Sequence, residues 1–196
     1  DKKKIFIKNY IYKNEIKLEK KNPLTLLNNA LATGGFILEV SKNYKFKKPL
    51  VIYNYFSKSL KESIINNKNS IILNENSQLT LINYTDNDFN DNFMTNIMDN
   101  ALIEKNASLI NIFINKSRCN GYFYRHIKSV LKKGSICDNF LLSTGLKFNK
   151  LDIEINHEEE NSRSSIFSAL NLLSSEHLEI KTRINHNAPN CQSYQK

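Results

Sequence analysis

The chain has 196 residues, of which 40% are hydrophobic and 24% are charged, and its formal net charge at pH 7 is +9. This length predicts one domain, or one domain with a small appendage, and the apolar content is enough to bury a core. No apolar run reaches the roughly 18 residues that a membrane span needs. The first residues, Asp1 to Lys4, lead into no apolar signal-peptide core, so the sequence predicts neither membrane insertion nor secretion.

The positive charge is concentrated in the first 50 residues, which hold 12 lysines against four acidic residues. These lysines are spread along the sequence, and no arginine or base-stacking motif accompanies them. We therefore interpret this region as a solvated basic face, and we predict no specific nucleic-acid partner and no membrane partner.

The three cysteines are far apart, odd in number and form no C-x-x-C pair; they are Cys119, Cys137 and Cys191. This pattern excludes a disulfide framework and a zinc knuckle. It predicts reduced thiols and a cytoplasmic protein.

At the N-terminus the pattern predicts two short strands, residues 5–7 and 10–12, around a tight turn at Lys8 and Asn9. We therefore predict that residues 1–22 form a β-hairpin and a polar linker, and that residues 23–196 form the core domain. Asn22 is a plausible N-cap and Pro23 suits the first turn of a helix over residues 24–32. Gly34 and Gly35 are expected to end that helix. Strands are predicted at residues 35–40 and 49–53.

From about residue 70 the sequence repeats. Small polar turns lead into apolar strands at intervals of 30, 27 and 30 residues, with apolar positions at Leu79, Leu109, Ile136 and Ile166. A second set of strand centres is spaced by 30, 26 and 27 residues, at Ile97, Ile127, Ile153 and Ile180. The spacing predicts a β-solenoid in which residues 70–186 form stacked parallel strands. A sandwich of antiparallel hairpins is the competing interpretation.

Residues 178–196 combine a strand with a short motif. Strict alternation from Leu178 to Asn185 predicts a half-buried strand. A turn and the pattern H-x-x-P-x-C-x-S-x-Q follow, formed by His186, Pro189, Cys191, Ser193 and Gln195.

This motif resembles a signature of the SufB/SufD family of the SUF iron–sulfur cluster assembly system. Two earlier segments are similar to the family in the same order, residues 5–12 and residues 27–52. The resemblance covers nearly the whole chain and implies a right-handed parallel β-helix with a short N-terminal hairpin and helix. The spacing from Cys191 to Gln195 favours the SufD subunit over SufB.

The resemblance implies a non-catalytic scaffold for iron–sulfur cluster assembly that pairs with a SufB-like paralogue and works with the SufC ATPase. The family's N-terminal helical domain has no counterpart here, and the sequence stops at Lys196, before the later coils and the region that contacts SufC. No cluster-binding residue of the family can therefore be placed on this sequence. We expect the chain alone to hold no stable cluster, which would assemble transiently at the complex interface. An open last coil would also make the chain marginally stable and prone to associate.

Cys191 and His186 are the only soft metal ligands close together in the sequence, and they are weak candidates for a metal site. The alternative is a turn cysteine packed against the solenoid. His126 is expected on a strand surface, and His157 beside a solvated loop of three glutamates.

The sequence contains no nucleotide-binding loop and no catalytic triad, so we predict neither ATP hydrolysis nor another enzymatic activity. Two alternatives stay open: a β-solenoid interaction module of unrelated function, and a carbohydrate-active β-helix protein. The latter would use clustered carboxylates, and the alternation places Asp152 and Glu154 on one exposed face.

Overall fold

The computed structural model describes residues 4–9, 22–87, 92–116, 119–144, 146–173 and 175–196. Within them lie one α-helix, α1 (Pro23–Leu31), and a 3₁₀ turn at Lys58–Leu60. One group of strands forms a seven-stranded sheet: β1 (Ile5–Asn9), β2 (Phe36–Val40), β4 (Ile64–Leu73), β6 (Met94–Ile103), β8 (Cys119–Leu131), β10 (Leu146–His157) and β12 (His177–His186). The others form a six-stranded sheet: β3 (Leu50–Phe56), β5 (Gln78–Asn87), β7 (Ser108–Asn115), β9 (Ile136–Thr144), β11 (Arg163–Asn171) and β13 (Gln192–Gln195).

The chain passes from one sheet to the other and back in each coil, so neighbouring strands within a sheet are parallel. Alternate side chains point between the two sheets, where Leu79, Leu109 and Ile153 are at most 2% exposed. Each coil leaves its apolar face uncovered until the next coil packs on it. The structure therefore confirms the predicted β-solenoid and the parallel strands between residues 70 and 186.

The strand register differs from the sequence prediction in the six-stranded sheet. Leu109 pairs with Cys137, so the inward position of the next coil is Cys137 and the predicted Ile136 points outward. Cys137 in turn pairs with Ser164, which leaves the predicted Ile166 two residues out of register. The prediction was wrong here because it aligned apolar residues, whereas these coils place a cysteine and a serine at the aligned position.

In the seven-stranded sheet Ile127 pairs with Ile153, as predicted. Ile97 pairs with Arg125, and Ile180 with Leu151, so both lie two residues from the Ile127 row. A shift of two residues preserves the inward direction of a side chain, since the pleat has a period of two. The prediction that Ile97 and Ile180 point inward is therefore correct. The prediction that they align with Ile127 and Ile153 is wrong.

The turns on one side of the solenoid share a left-handed backbone conformation. Their φ angles lie between 55° and 64° at Asn43, Asn76, Asn106, Gly134, Asn161 and Asn190. Asparagine and glycine tolerate this conformation better than other residues do. The Asn76 side-chain amide donates to Asn43 Oδ1 at 2.9 Å, and that of Asn106 donates to Asn76 Oδ1 at 3.2 Å. The asparagines therefore form a ladder along the stacked turns.

Helix α1 begins as predicted, since Asn22 Oδ1 accepts a hydrogen bond of 2.9 Å from the backbone of Leu24. It ends at Leu31, and Gly34 and Gly35 are not its cap. Gly35 has a φ of 135°, and a Cβ there would lie 1.9 Å from the backbone oxygen of Lys68. This glycine is needed for close approach of two backbones, which corrects the prediction.

The N-terminal antiparallel pair forms between β1 and β2, with Asn9 opposite Phe36. Lys8 and Asn9 are part of β1, so the predicted tight turn at these two residues is wrong. The predicted second strand, residues 10–12, lies outside the described residues. β1 forms the first edge of the seven-stranded sheet through this pairing, and Ile5 packs against the main core.

Candidate functional site in the last two coils

A column of aliphatic side chains in the seven-stranded sheet changes to histidine in the last two coils. The aligned positions, one in each coil, are Val40, Leu73, Ile103, Leu131, His157 and His186. A facing column in the six-stranded sheet changes from leucine to cysteine one coil earlier and to serine in the same two coils. Its positions are Leu79, Leu109, Cys137, Ser164 and Ser193. The core thus becomes polar at one end of the solenoid.

His157 is fully buried and has hydrogen-bond partners at both ring nitrogens. Its Nδ1 lies 2.7 Å from Ser162 Oγ, and its Nε2 lies 3.0 Å from Ser164 Oγ. Burial, and then the neighbouring His186 ring, lower the pKa of His157 to about 4. The ring is therefore neutral at physiological pH. Sequence reasoning placed this residue beside a solvated loop, and Glu158 and Glu159 of that loop are exposed, but it did not predict the burial of the histidine itself.

The motif residues close the last turn of the solenoid. His186 Nε2 lies 3.1 Å from Ser193 Oγ, which joins β12 to β13. Gln195 Oε1 accepts a hydrogen bond of 3.0 Å from the Thr182 hydroxyl across the same two strands. The Pro189 carbonyl accepts from the backbone of Asn161 in the previous coil at 3.3 Å. Four of the five motif residues therefore have direct roles in coil closure and stacking.

Cys191, the fifth motif residue, lies partly exposed in the last turn as a free thiol. Its Sγ lies 3.4 Å from Ser162 Oγ and donates to the Glu159 carbonyl at 3.4 Å. Ser162 links it to the buried His157, whereas His186 bonds on the other side to Ser193. The structure thus brings Cys191 and His186 together through His157, which bonds to Ser162 and lies against the His186 ring.

Cys137 is a different kind of thiol. It is fully buried between the sheets, 3.9 Å from the Ser129 hydroxyl, and burial raises its pKa to about 11. A thiol with such a pKa is protonated at neutral pH and is a poor nucleophile.

The sequence carries a signal for this site in the form of a repeat. The pattern I-N-H-x-x-x-N-[S/C]-x-S occurs at residues 155–164 and again at residues 184–193, 29 residues apart. Both copies place histidine, a left-handed asparagine and serine at equivalent positions of adjacent coils. Sequence reasoning found the second copy and missed the first, and it therefore missed His157, Ser162 and Ser164.

The site offers imidazole, thiol and hydroxyl groups that can hydrogen-bond and exchange protons. In the part of the chain that the structure describes, no group of three or more His, Cys, Asp or Glu side chains is arranged to hold a metal ion. His126 lies on the outward face of the seven-stranded sheet, away from this network, as predicted for a strand-surface residue. None of the described helices is long and apolar enough to cross a membrane.

The fold and the site define a protein of the parallel β-solenoid class whose last two coils carry a histidine–serine–cysteine network. A family model described as "SUF system FeS cluster assembly, SufBD core domain" matches residues 55–196. The chain therefore belongs to the SufBD core-domain family, and its role lies in SUF iron–sulfur cluster assembly. A search of curated proteins finds no significant match. The match includes the motif from His186 to Gln195, whereas residues 5–12 and 27–52 lie before it.

Proposed function

We propose that this chain is a non-catalytic scaffold subunit for iron–sulfur cluster assembly, acting with a SufB-like paralogue and a SufC-like ATPase. The observation that carries the proposal is the family match across residues 55–196, which covers nearly all of the solenoid. The spacing of Cys191 and Gln195 supports the SufD-type subunit within that family. The free thiols of Cys137 and Cys191 fit the reducing cytoplasm as the place of action.

The donor groups of the last coils support a shared cluster site. His186 and Cys191 lie in the coil formed by β12 and β13, and each of these strands is the last of its sheet in the described structure. Iron–sulfur clusters need several thiolates or imidazoles in one place. A partner subunit that supplies cysteines beside this coil would complete such a set, and the cluster is then cargo of the complex.

Anaerobic reconstitution tests the proposal. The purified chain, mixed with iron and sulfide, is expected to hold no stoichiometric cluster by visible absorption and by iron and sulfide analysis. The same chain purified with a cysteine-bearing SufB-like partner and a SufC-like ATPase is expected to gain one. Any ATP hydrolysis should depend on the ATPase subunit and not on this chain.

Two substitutions sharpen the test. Cys191→Ser changes the partly exposed thiol, and Cys137→Ser is the matched control within the core. A stoichiometric cluster on the chain alone that is lost with Cys191→Ser would overturn the shared-site proposal. Failure to form a complex with either partner would overturn the scaffold role.

A further inference from the structure

The outward face of the six-stranded sheet is apolar at its centre. Two adjacent rows of side chains cross the strands β3, β5, β7, β9 and β11, and every position in both rows is aliphatic or aromatic. The first row holds Val51, Ile82, Ile112, Phe140 and Phe167. The second row holds Tyr53, Tyr84, Ile114, Leu142 and Ala169.

Side chains at both ends of this face are open to solvent. Val51 is 55% exposed and Tyr53 57%, and across the face Phe140 is 39% and Leu142 41% exposed. A contiguous apolar surface of this kind on a folded chain marks an interaction site. Parallel sheets, moreover, are normally covered on both faces.

The aromatic side chains of the face are already packed against one another. The rings of Tyr53 and Tyr84 stack with their centroids 5.3 Å apart, and those of Phe140 and Phe167 stack at 5.0 Å. These contacts restrict the side-chain rotamers before any partner arrives. Less conformational entropy is therefore lost when the face is covered.

The two rows taper in opposite directions. Side-chain size rises from Val51 on β3 to Phe167 on β11 in the first row, and it falls from Tyr53 on β3 to Ala169 on β11 in the second. Both rows have isoleucine on the middle strand, β7. A face with this distribution of sizes is complementary in shape to a copy of itself that is turned around β7.

We propose that this face binds the same face of a second copy of the chain. A two-fold axis that lies in the interface and runs along β7 places β3 of each copy opposite β11 of the other. Tyr53 then lies opposite Ala169 of the partner subunit, and Val51 lies opposite Phe167 of the partner subunit. Each large side chain meets a small one, so the two faces pack at the density of a protein interior.

Polar outward side chains border the two apolar rows. Thr80 and Asp138 lie on one side of the rows, and Asp86 and Thr144 lie on the other. The same axis places Asp138 opposite Thr80 of the partner subunit and Asp86 opposite Thr144 of the partner subunit, so neither carboxylate faces another. An apolar centre with a polar border is the usual arrangement of a protein interface.

The area of the face fits a stable dimer. Five strands are about 24 Å wide and the nine residues of β9 are about 30 Å long, so the face covers on the order of 700 Å². A standard interface buries roughly 800 Å² on each partner. The face does not include His186 or Cys191, so the dimer goes beyond the proposed scaffold function and does not depend on it.

Sedimentation velocity of the full chain between about 1 and 100 μM tests the proposal. A reducing agent is present throughout, so that disulfide-linked dimers cannot form. We expect a reversible monomer–dimer equilibrium with a Kd at or below about 10 μM, since interfaces of this size range from micromolar to picomolar affinity.

Substitutions at the middle strand locate the contact. Ile112→Lys should raise the Kd of the dimer by about 100-fold or more, because it buries one charge from each copy beside the axis. Leu102→Lys, at an outward position of the seven-stranded sheet, is the matched control and should change the Kd by less than about twofold. Copies with Ile112→Lys mixed with copies with Ile112→Glu should form mixed dimers, because the two charges then attract.

A pair of substitutions tests the direction of the axis. Tyr53 and Ala169 lie four strands apart in one chain, about 19 Å, so changes at these positions can compensate only across the interface. Ala169→Tyr should weaken the dimer by about tenfold or more, because it overfills the space opposite Tyr53 of the partner subunit. Adding Tyr53→Ala should restore most of the affinity, whereas Tyr53→Ala alone should weaken the dimer. Circular dichroism and the Tm verify that every variant folds.

Three results would overturn the proposal. A chain that stays monomeric up to about 100 μM would remove the interface. Equal weakening by Ile112→Lys and Leu102→Lys would place the contact elsewhere on the molecule. A one-to-one complex with a SufB-like paralogue that replaces the dimer and is lost with Ile112→Lys would assign the face to that paralogue.

Discussion

His157 stacks on His186 with their ring centroids 4.7 Å apart, inside a column that is aliphatic in the preceding coils. The pKa of His157 falls to about 4 because of burial and the adjacent ring. In the unfolded chain the same group has a pKa of about 6.5, so the unfolded state binds its proton first. The free energy of unfolding should therefore be highest above about pH 6.5 and fall by up to about 3 kcal/mol as the pH drops to about 4.

Urea unfolding at several pH values between about 4.5 and 7.5 measures this loss in the free energy of unfolding. This pH range lies above the ordinary pKa of the carboxylates. His157→Leu restores the residue type that Leu131 supplies in the preceding coil, and it should flatten the dependence in this window. His177→Gln, on an exposed ring stacked against Phe148, is the control and should leave the slope of the wild type. An unchanged slope with His157→Leu would contradict the assignment.

Paired aspartate substitutions test the strand register. Ile153 is 2% exposed between the sheets, so Ile153→Asp buries an unpaired charge and should cost more than about 3 kcal/mol. Ile136 points outward, level with Ser108 and Arg163, and Ile136→Asp should cost less than about 1 kcal/mol. Chemical denaturation of both variants gives the comparison. Equal losses would contradict the outward position of Ile136.

Gly134 should be the most sensitive position of the turn ladder. Its φ is 64°, and a Cβ there would lie 2.6 Å from Asn106 Oδ1. Gly134→Ala should lower the free energy of unfolding by about 1–2 kcal/mol, since alanine is strained in this conformation. Gly134→Asn should cost less, because the Asn76 and Asn161 turns place asparagine in the same conformation. Tm values in the order wild type, asparagine variant, alanine variant would confirm the argument, and the reverse order of the variants would refute it.

The two described thiols should differ in reactivity. Cys191 is partly exposed, whereas Cys137 is fully buried with its pKa raised to about 11. Iodoacetamide on the native chain at about pH 8 should alkylate Cys191 and spare Cys137, since the thiolate is the reacting form. Peptide mass spectrometry locates the label, and both sites should react in urea. Rapid native labelling of Cys137 would show that the core opens more readily than the structure indicates.

The repeat and the helix start were predictable because their signals are local. Asn22 followed by Pro23 is sufficient to predict a helix start, and alternation around Ile153 is sufficient to predict which side chains point inward. The exact register was harder to predict, because Ser164 stands where other coils have an aliphatic residue. Alignment by hydrophobicity selected Ile166 in its place.

Only one half of the candidate site, the motif from His186 to Gln195, could be predicted from the sequence. The run Glu158 to Glu160 dominates its local sequence and is typical of a solvated loop. The adjacent His157 is buried because Ser162 and Ser164 supply hydroxyls to both ring nitrogens, and this follows only from the tertiary arrangement. The contact between Asn22 and Asp152 was beyond sequence reasoning, because the two residues meet only after four coils have stacked.

That contact between Asn22 and Asp152 has a consequence for the order of folding. A stack of coils with only nearest-neighbour contacts can unravel from its ends one coil at a time. The Asn22 amide reaches Tyr124 and Asp152, 102 and 130 residues away, and so ties the start of the chain to β8 and β10. The contact can form only after these strands have paired, so it is a late event in folding. Once the contact has formed, the coils between Asn22 and Asp152 should unfold together as one cooperative unit.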